Sequence, residues 1–76
     1  MGFNETHCLE IQKYEFIETN HLKPIESNYN LVKTSKGFKS SQQYENNDCK
    51  FQITSVWKYD KPWNQLIELN IRRISQ

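Results

Sequence analysis

The most regular pattern in the sequence is the alternation of apolar and polar residues between Cys49 and Tyr59. Successive side chains of a β-strand point to opposite faces of the sheet, so a period of two residues indicates a strand with one buried face. The odd-numbered positions hold Cys49, Phe51, Ile53, Ser55, Trp57 and Tyr59, and the even-numbered positions hold Lys50, Gln52, Thr54, Val56 and Lys58. Only Ser55 and Val56 depart from the alternation, and the segment is predicted to be a half-buried strand.

A second alternating run follows the sequence DKPW and predicts the partner strand of a hairpin. Ile67, Leu69 and Ile71 alternate there with polar residues. A helix over residues 62–74 is the alternative, since Asp60 is a suitable N-cap ahead of a proline. Leu69 would lie off the apolar face of that helix, and the strand is therefore favoured.

The segment CLEIQKYEFIE, residues 8–18, shows a broken alternation. Leu9 and Ile11 share one parity, while Tyr14 and Phe16 share the other. One extra residue reverses the alternation, so a bulge would restore a single apolar face. The segment is predicted to be a bulged strand, with a helix as the alternative.

Three short segments are predicted to connect the strands. The segment TNHLKPIES contains a proline and is typical of a connection, and its Leu22 and Ile25 are expected to tuck under the sheet edge. SKG, residues 35–37, separates two strand-like runs, and Gly37 is expected to supply the positive φ of a tight hairpin turn. ENND, residues 45–48, is the next predicted turn.

The spacing of these elements predicts the fold class. Strands about ten residues apart indicate a mainly β protein with a single small antiparallel sheet or a partly closed barrel of four to five strands. The alternative is an α+β fold with one helix, for which residues 62–74 are one candidate segment. A chain of 76 residues is expected to form one domain, residues 1–76, with a thin core and little volume for a deep pocket. An aromatic content of 13% and a net charge of +1 argue against disorder.

Composition bears on the source of the gene. Alanine is absent and Asn, Lys and Ile are frequent, which is typical of an AT-rich genome such as that of a low-GC bacterium or a virus infecting one. The alternating strand and the segment PWNQLIELNIRR together resemble the C-terminal hairpins of small phage proteins, over roughly a third of the chain. That resemblance assigns no residue a role.

No segment is predicted to enter a membrane or to bind a metal. The N-terminus lacks the regions of a signal peptide and no run approaches about 20 apolar residues, so a cytoplasmic protein is expected, in the host cytoplasm if the gene is viral. Cys8 and Cys49 form no CxxC pair, and with His7 and His21 they lack the ligand spacing of a zinc site. Both cysteines are expected to be small buried side chains in a reducing compartment.

The sequence contains none of the common catalytic motifs. It has no glycine-rich phosphate loop, no GxSxG and no HExxH. A pair formed by His7 and His21, acting as base and acid in a small nuclease, is an alternative that any chain with two histidines permits. The protein is predicted not to be an enzyme and to need no cofactor.

The candidate binding residues gather near the predicted C-terminal hairpin. Trp57 shares the parity of the core-facing residues, whereas Trp63 lies at the turn, where display to a partner is favoured. Exposed Trp, Tyr and Arg side chains are typical of interface hot spots. The predicted partner-binding residues are Trp63, Tyr59, Lys58, Lys61, Arg72 and Arg73. Lys33, Lys36 and Lys39 form a secondary basic patch.

These features favour a small non-catalytic interaction protein, encoded by a phage or mobile element, that modulates or inhibits a host protein by binding it. The alternative is a small β-barrel that binds nucleic acid by stacking bases on its rings while lysines follow the phosphates. The sequence pI of about 7.8 is low for a dedicated nucleic-acid domain. A homodimer through a sheet edge is a further expectation, since a small sheet leaves its edge strands unpaired.

Overall fold

The computed structural model describes residues 5–60 and 64–75 of the chain, with side chains for residues 9–60 and 64–74. One helix precedes four strands, and the elements are α1 Glu5–Thr19, β1 Lys23–Lys33, β2 Gly37–Glu45, β3 Lys50–Lys58 and β4 Gln65–Ser75. The strands form one sheet in the order β1-β2-β3-β4, and each pairs antiparallel with its neighbours. The predicted mainly β fold with a single antiparallel sheet is confirmed, and over the described residues the sheet is not closed into a barrel.

The prediction of a bulged strand over residues 8–18 is wrong, because this segment lies in α1. Leu9 and Phe16, seven residues apart, are half-buried, whereas Ile11 and Tyr14 are 42% and 61% exposed. Apolar side chains therefore occur on both sides of α1, which hides the helical period in the sequence. The segment contains neither Gly nor Pro, and its Leu, Glu, Gln and Lys residues have good helix propensity.

A Schellman motif ends α1 and leads directly into β1. The Leu22 N–H donates to the Ile17 carbonyl over 3.0 Å, and the His21 N–H donates to the Glu18 carbonyl over 3.2 Å. His21 takes the left-handed conformation, with φ 53°, at the position that this motif usually gives to glycine. Leu22 is buried as expected, but Pro24 lies in β1 rather than in a connection, a placement that an edge strand tolerates.

The core lies between α1 and the β3–β4 half of the sheet. Ile53 and Ser55 on β3 and Leu66 on β4 are at most 2% exposed. The Phe16 ring of α1 packs edge-on against Phe51, with 5.1 Å between the ring centroids. The odd-numbered residues of β3 thus face α1, as their alternation predicts.

The predicted C-terminal strand is confirmed as β4, and the alternative helix over residues 62–74 is wrong. The pairing of β4 with β3 shifts register between Val56 and Trp57. Beside this shift Leu66 is buried, while Ile67 is 50% exposed. A bulge changes the direction in which side chains point, and here it places Ile67 at the surface.

An irregularity interrupts the edge strand β1. Ile25 pairs with Gln43 and Asn30 with Ser41, so five steps along β1 span two steps along β2. The Gln42 side chain fills the irregularity by donating from Nε2 to the Ile25 carbonyl. Bulges at a sheet edge hinder pairing with another chain. The irregularity therefore interrupts the row of backbone groups along β1 that an edge-to-edge homodimer would use for pairing.

The β1–β2 turn forms the predicted hairpin but gives Gly37 a different role. Gly37 does not have the positive φ that the sequence led us to expect. A Cβ at this position would instead clash with the backbone carbonyl group of Trp57 on β3. The Thr34 hydroxyl oxygen accepts the Gly37 N–H over 3.1 Å and so closes the turn. Glycine is required here because the two backbones approach closely.

The β2–β3 turn, predicted at residues 45–48, is held by the side chain of Asn46. Its Oδ1 accepts the N–H groups of Asp48 over 2.8 Å and of Cys49 over 2.7 Å. Its Nδ2 donates to the Asn20 carbonyl at the end of α1 over 2.9 Å. One amide group therefore joins this turn to the helix.

We expect Asn46→Ala to lower the free energy of unfolding by about 2–3 kcal/mol, because it removes three hydrogen bonds of about 1 kcal/mol each. Asn46→Asp keeps the acceptor but cannot donate to Asn20, and its carboxylate would lie near the negative end of the helix dipole. An intermediate loss is expected for that variant. Urea unfolding followed by circular dichroism measures both. Asn47→Ala is the matched control, since Asn47 is exposed, and equal losses for the two alanine variants would contradict this role of Asn46.

Candidate functional site

Strand pairing brings four lysines to one end of the sheet. Lys33 pairs with Phe38 across the β1–β2 hairpin, and Gly37 pairs with Lys58 at the end of β3. We call Lys33, Lys36, Lys39 and Lys58 the lysine end, and all four are exposed. The acids near it are Asp60, two residues after Lys58, and Glu68, which pairs with Val56 on β3. Four positive charges against two negative ones leave this end of the sheet positive.

Three aromatic rings lie at the same end and form the aromatic cluster of Phe38, Trp57 and Tyr59. Phe38 and Trp57 are cross-strand partners and stack at 5.8 Å with an interplanar angle of 13°. The Tyr59 ring lies 6.0 Å from Phe38 at 44°. The Tyr59 N–H donates to the Lys36 carbonyl over 2.9 Å, which fixes Tyr59 beside the hairpin turn. Tyr59 is 46% exposed, whereas the two stacked rings are half-buried.

A cleft of about 490 Å³ opens between the lysine end and the aromatic cluster. Its accessible lining is mostly apolar. Val56 and the exposed Ile67 contribute aliphatic surface, and Lys36, Lys39 and Lys58 place their charges beside it. The arrangement combines apolar contact area with a positive rim.

The structure unites two groups of residues that the sequence analysis treated separately. Lys58 and Tyr59 were predicted as part of the main site and line the cleft. Lys36 and Lys39 were predicted as part of a secondary patch and line the same cleft, with Lys33 beside them across the hairpin. Lys61 and Trp63 lie outside the residues that the structure describes.

Arg72 and Arg73 do not belong to this cleft, so their predicted placement near the hairpin end is wrong. Arg72 pairs with Gln52 and donates from its guanidinium group to Gln52 Oε1 over 3.2 Å, and Arg73 pairs with Phe51. Gln52 is six residues before Lys58, which corresponds to about 20 Å along a strand. The length of β4 therefore carries the two arginines toward the opposite end of the sheet.

Sequence reasoning missed Val56 and Ile67 as site residues. Val56 is the apolar exception among the even-numbered positions of β3, and this exception was the available signal. Ile67 directly follows Leu66, and two adjacent apolar residues in a strand cannot both face the same core unless a bulge intervenes. The departures at Val56 and Ile67 thus mark side chains that line the cleft.

The backbones of the two histidines lie at opposite ends of α1. His7 lies near the start of α1, and His21 follows its end. The twelve helical steps from His7 to Thr19 span about 18 Å at 1.5 Å per step. His21 borders a separate polar cleft of about 450 Å³ beside Lys23 and Glu45. These last two residues are cross-strand partners of opposite charge.

Two side chains away from the cleft have shifted pKa values. Burial lowers the pKa of Lys13, on the inner side of α1, and the nearby carboxylate of Glu10 opposes the shift. Burial also raises the pKa of Tyr44, and Tyr14 and Tyr29 add to this shift when they are ionised. Both shifts reflect packing of α1 against the sheet rather than a charge arranged for proton transfer.

The described residues form neither a cluster of metal ligands nor a helix that could span a membrane. Within residues 5–60 and 64–75, no three His, Cys, Asp or Glu residues come together as metal ligands. The helix in that part of the chain is neither long nor apolar enough to cross a bilayer. Cys49 is a free thiol and is half-buried rather than buried as expected, and the side chain of Cys8 lies outside the part of the chain that the structure describes.

The chain was compared with protein-family models, curated proteins and solved structures. None of them matches it. The cleft, its lysines and its rings are therefore the basis on which a function is proposed.

Proposed function

We propose that the protein is a small non-catalytic module that binds another protein through the cleft. The observation that carries this proposal is the position of an apolar cleft beside Lys36, Lys39 and Lys58. Insertion of an aromatic or aliphatic side chain into an apolar cleft buries apolar surface and so lowers the free energy of binding. The lysines favour a partner segment with carboxylates beside that anchor. The expected ligand is thus a protein segment with an apolar anchor flanked by Asp or Glu.

The geometry of the rings favours a protein over a single-stranded nucleic acid. Binding of single strands relies on exposed ring faces on which successive bases stack. Phe38 and Trp57 stack on each other, so one face of each ring is already covered. Tyr59 alone among the three rings is close to half exposed. One available ring suits a single anchor side chain better than a series of bases.

The small size of the molecule supports a modulator rather than a catalyst. The fully buried side chains among the described residues, Ile53, Ser55 and Leu66, form a thin core beneath one helix. A domain of this size buries a smaller fraction of its surface than a large domain does, so most of its polar and charged side chains remain available for contact with a partner. We infer that it alters the activity of a host protein by occupying part of that protein's surface. The free thiol of Cys49 is compatible with action in the cytoplasm, where disulfides are rare.

Selection from a random peptide library displayed on phage tests the proposal. We expect the wild-type protein to enrich peptides in which a large apolar residue is flanked by Asp or Glu. The double variant Lys39→Glu plus Lys58→Glu should bind these peptides at least about tenfold more weakly, because repulsion replaces attraction at two positions. Arg72→Glu plus Arg73→Glu is the matched control, with the same charge change away from the cleft, and should retain binding.

Two results would contradict the proposal. One is enrichment of peptides without acidic residues, or equal loss of binding in the cleft variant and in the arginine variant. The other is binding of random single-stranded oligonucleotides that weakens steeply with salt and requires the same lysines, since phosphate contacts release counterions. That second result would identify the cleft as a nucleic-acid site.

A further inference from the structure

The outward side of α1 carries four residues whose chemistry matches the ligand expected for the cleft. Ile11, Tyr14, Glu15 and Glu18 are all exposed. Their spacing places them within about 100° of one another around the helix, at 100° per residue. We call these residues the outer face of α1. It presents two large apolar side chains directly beside two carboxylates.

Packing among the side chains of residues 9–60 and 64–74 leaves this outer face exposed. Ile11 is 42% exposed and Tyr14 is 61% exposed, although α1 has its inner side, with Phe16, against the sheet. Large apolar groups side by side on an exposed helix face are typical of contact with a partner. The helix is also acidic, with four glutamates and one lysine between Glu5 and Thr19.

We propose that the cleft of one molecule binds the outer face of α1 of a second copy of this chain. This inference rests on the proposed function, because it identifies one ligand of the cleft. The two surfaces are complementary in both respects that the cleft requires. Ile11 or Tyr14 supplies the apolar anchor, and Glu15 and Glu18 supply the carboxylates that face the lysine end.

The contact can form only between molecules. Phe16 packs on Phe51, so Ile11, Glu15 and Glu18 on the opposite side of the helix point away from its own sheet. Tyr14 lies close enough to Tyr44 on β2 to affect its pKa and is still 61% exposed. The cleft and the outer face are different surfaces, so the association is heterologous, or head to tail. Each added molecule leaves one cleft and one outer face free. The assembly therefore grows with concentration unless it closes into a ring.

The charges and the size of the cleft determine how this association should behave. A cleft of about 490 Å³ accommodates one or two side chains, and small contacts of this kind are weak. Attraction between exposed charges is strongly screened when the Debye length falls from about 10 Å at 0.1 M salt to about 3 Å at 1 M. Self-association should therefore be weak at low salt and weaker still at high salt.

Analytical ultracentrifugation of the full chain over about 10 μM to 1 mM tests the inference, a range suited to weak contacts. The average mass of the wild-type protein should rise above the chain mass of 9.2 kDa as concentration increases. Lys39→Glu plus Lys58→Glu reverses two charges of the cleft. Glu15→Lys plus Glu18→Lys reverses two charges of the outer face. Each double variant alone should remain monomeric.

Mixing the two variants provides the decisive measurement. The cleft variant retains an intact outer face, and the helix variant retains an intact cleft. An equimolar mixture should form a heterodimer that grows no further, with twice the mass of 9.2 kDa. Circular dichroism melting of each variant shows that it is folded.

A wild-type protein that stays monomeric throughout, or a mixture that forms no heterodimer, would overturn the inference. The helix variant should still bind the peptides selected by the cleft. If it binds them while self-association is absent, the proposed function stands and only this inference fails. If the cleft binds neither the peptides nor a second copy, both proposals fail.

Discussion

Replacement of Ile53 with alanine should cost about 2–5 kcal/mol of unfolding free energy, the range observed for deletion of a fully buried aliphatic side chain. Ile53 is 2% exposed and lies on β3, between Gln42 of β2 and Ile71 of β4. Its side chain points from β3 toward α1, where few other described residues are fully buried. The cavity left by the substitution could not be filled without moving the helix. Domains of this size rarely have more than about 3–5 kcal/mol of stability, so a large part of the variant should be unfolded at room temperature.

Ile67→Ala makes the same chemical change at a position that is 50% exposed. We expect it to cost less than about 1 kcal/mol, because it creates no enclosed cavity. Urea unfolding of both variants, followed by far-UV circular dichroism, measures the difference. Equal losses would show that the core does not lie between α1 and β3. Because Ile67 lines the cleft, its variant should weaken binding of the selected peptides while remaining folded, which separates the core from the site in one pair of substitutions.

Those parts of the fold that depend on local patterns were predictable from the sequence. The alternation from Cys49 to Tyr59 identified β3 and its buried face, and the polar segments identified the β1–β2 and β2–β3 turns. The outer residues of α1 explain why the sequence favoured a bulged strand and left the helix as the alternative. Ile11 and Tyr14 add apolar groups to its exposed side, and the resulting sequence has no clear amphipathic period. If the outer face binds a second molecule, as we propose, the same residues that obscured the helix serve an intermolecular contact.

The candidate site could be predicted only in part, because it depends on which strands are neighbours and in what register. Lys36 and Lys58 are far apart in the sequence, and the pairing of Gly37 with Lys58 brings them together. Nothing local to either residue specifies that pairing. The opposite error occurred for Arg72, which is close to Lys58 in the sequence but pairs with Gln52 because β4 runs the full length of β3. Each further residue along β4 lies about 3.3 Å farther from the end of the sheet that holds Lys58.

The two proposals imply that the state of the cleft depends on protein concentration. A host partner that inserts an apolar anchor between the lysines would compete with the outer face of α1 from another copy. At low concentration the cleft would be free for the host partner, and at high concentration part of it would be occupied by self-association. Mass action then predicts that the selected peptides shift the average mass of the wild-type protein back toward that of the monomer.

Gly37→Ala should destabilise the protein even though the same substitution usually helps. Where the backbone has no positive φ, replacing glycine with alanine reduces the freedom of the unfolded chain and stabilises a protein by about 0.4–1 kcal/mol. Gly37 has no positive φ, so this consideration alone predicts a gain. A Cβ at this position, however, would meet the carbonyl group of Trp57 and would lie 3.0 Å from Lys58 Cα. Both contacts are with backbone, which cannot rotate away as a side chain can.

The strands β2 and β3 would have to separate at this end of the sheet to admit the methyl group. Overpacking of this kind costs about 1–3 kcal/mol or more, so a net loss is expected in place of a gain. Ser35→Ala, in the same turn at an exposed position, should change stability by less than about 0.5 kcal/mol. The sign of the change measured by urea unfolding distinguishes the two effects, and a Gly37→Ala variant as stable as the wild type would show that the strands are not in close contact there.

Separation of the strands should also alter the cleft. The Tyr59 N–H donates to the Lys36 carbonyl next to Gly37, and a shift of β2 away from β3 would lengthen that bond. Hydrogen exchange of the Tyr59 amide should therefore accelerate in Gly37→Ala and remain unchanged in Ser35→Ala. Because Tyr59 and Lys36 both line the cleft, the glycine variant should also bind the selected peptides more weakly under conditions in which it remains folded. The absence of a Cβ atom at Gly37 thus permits both the strand pairing and the geometry of the binding site.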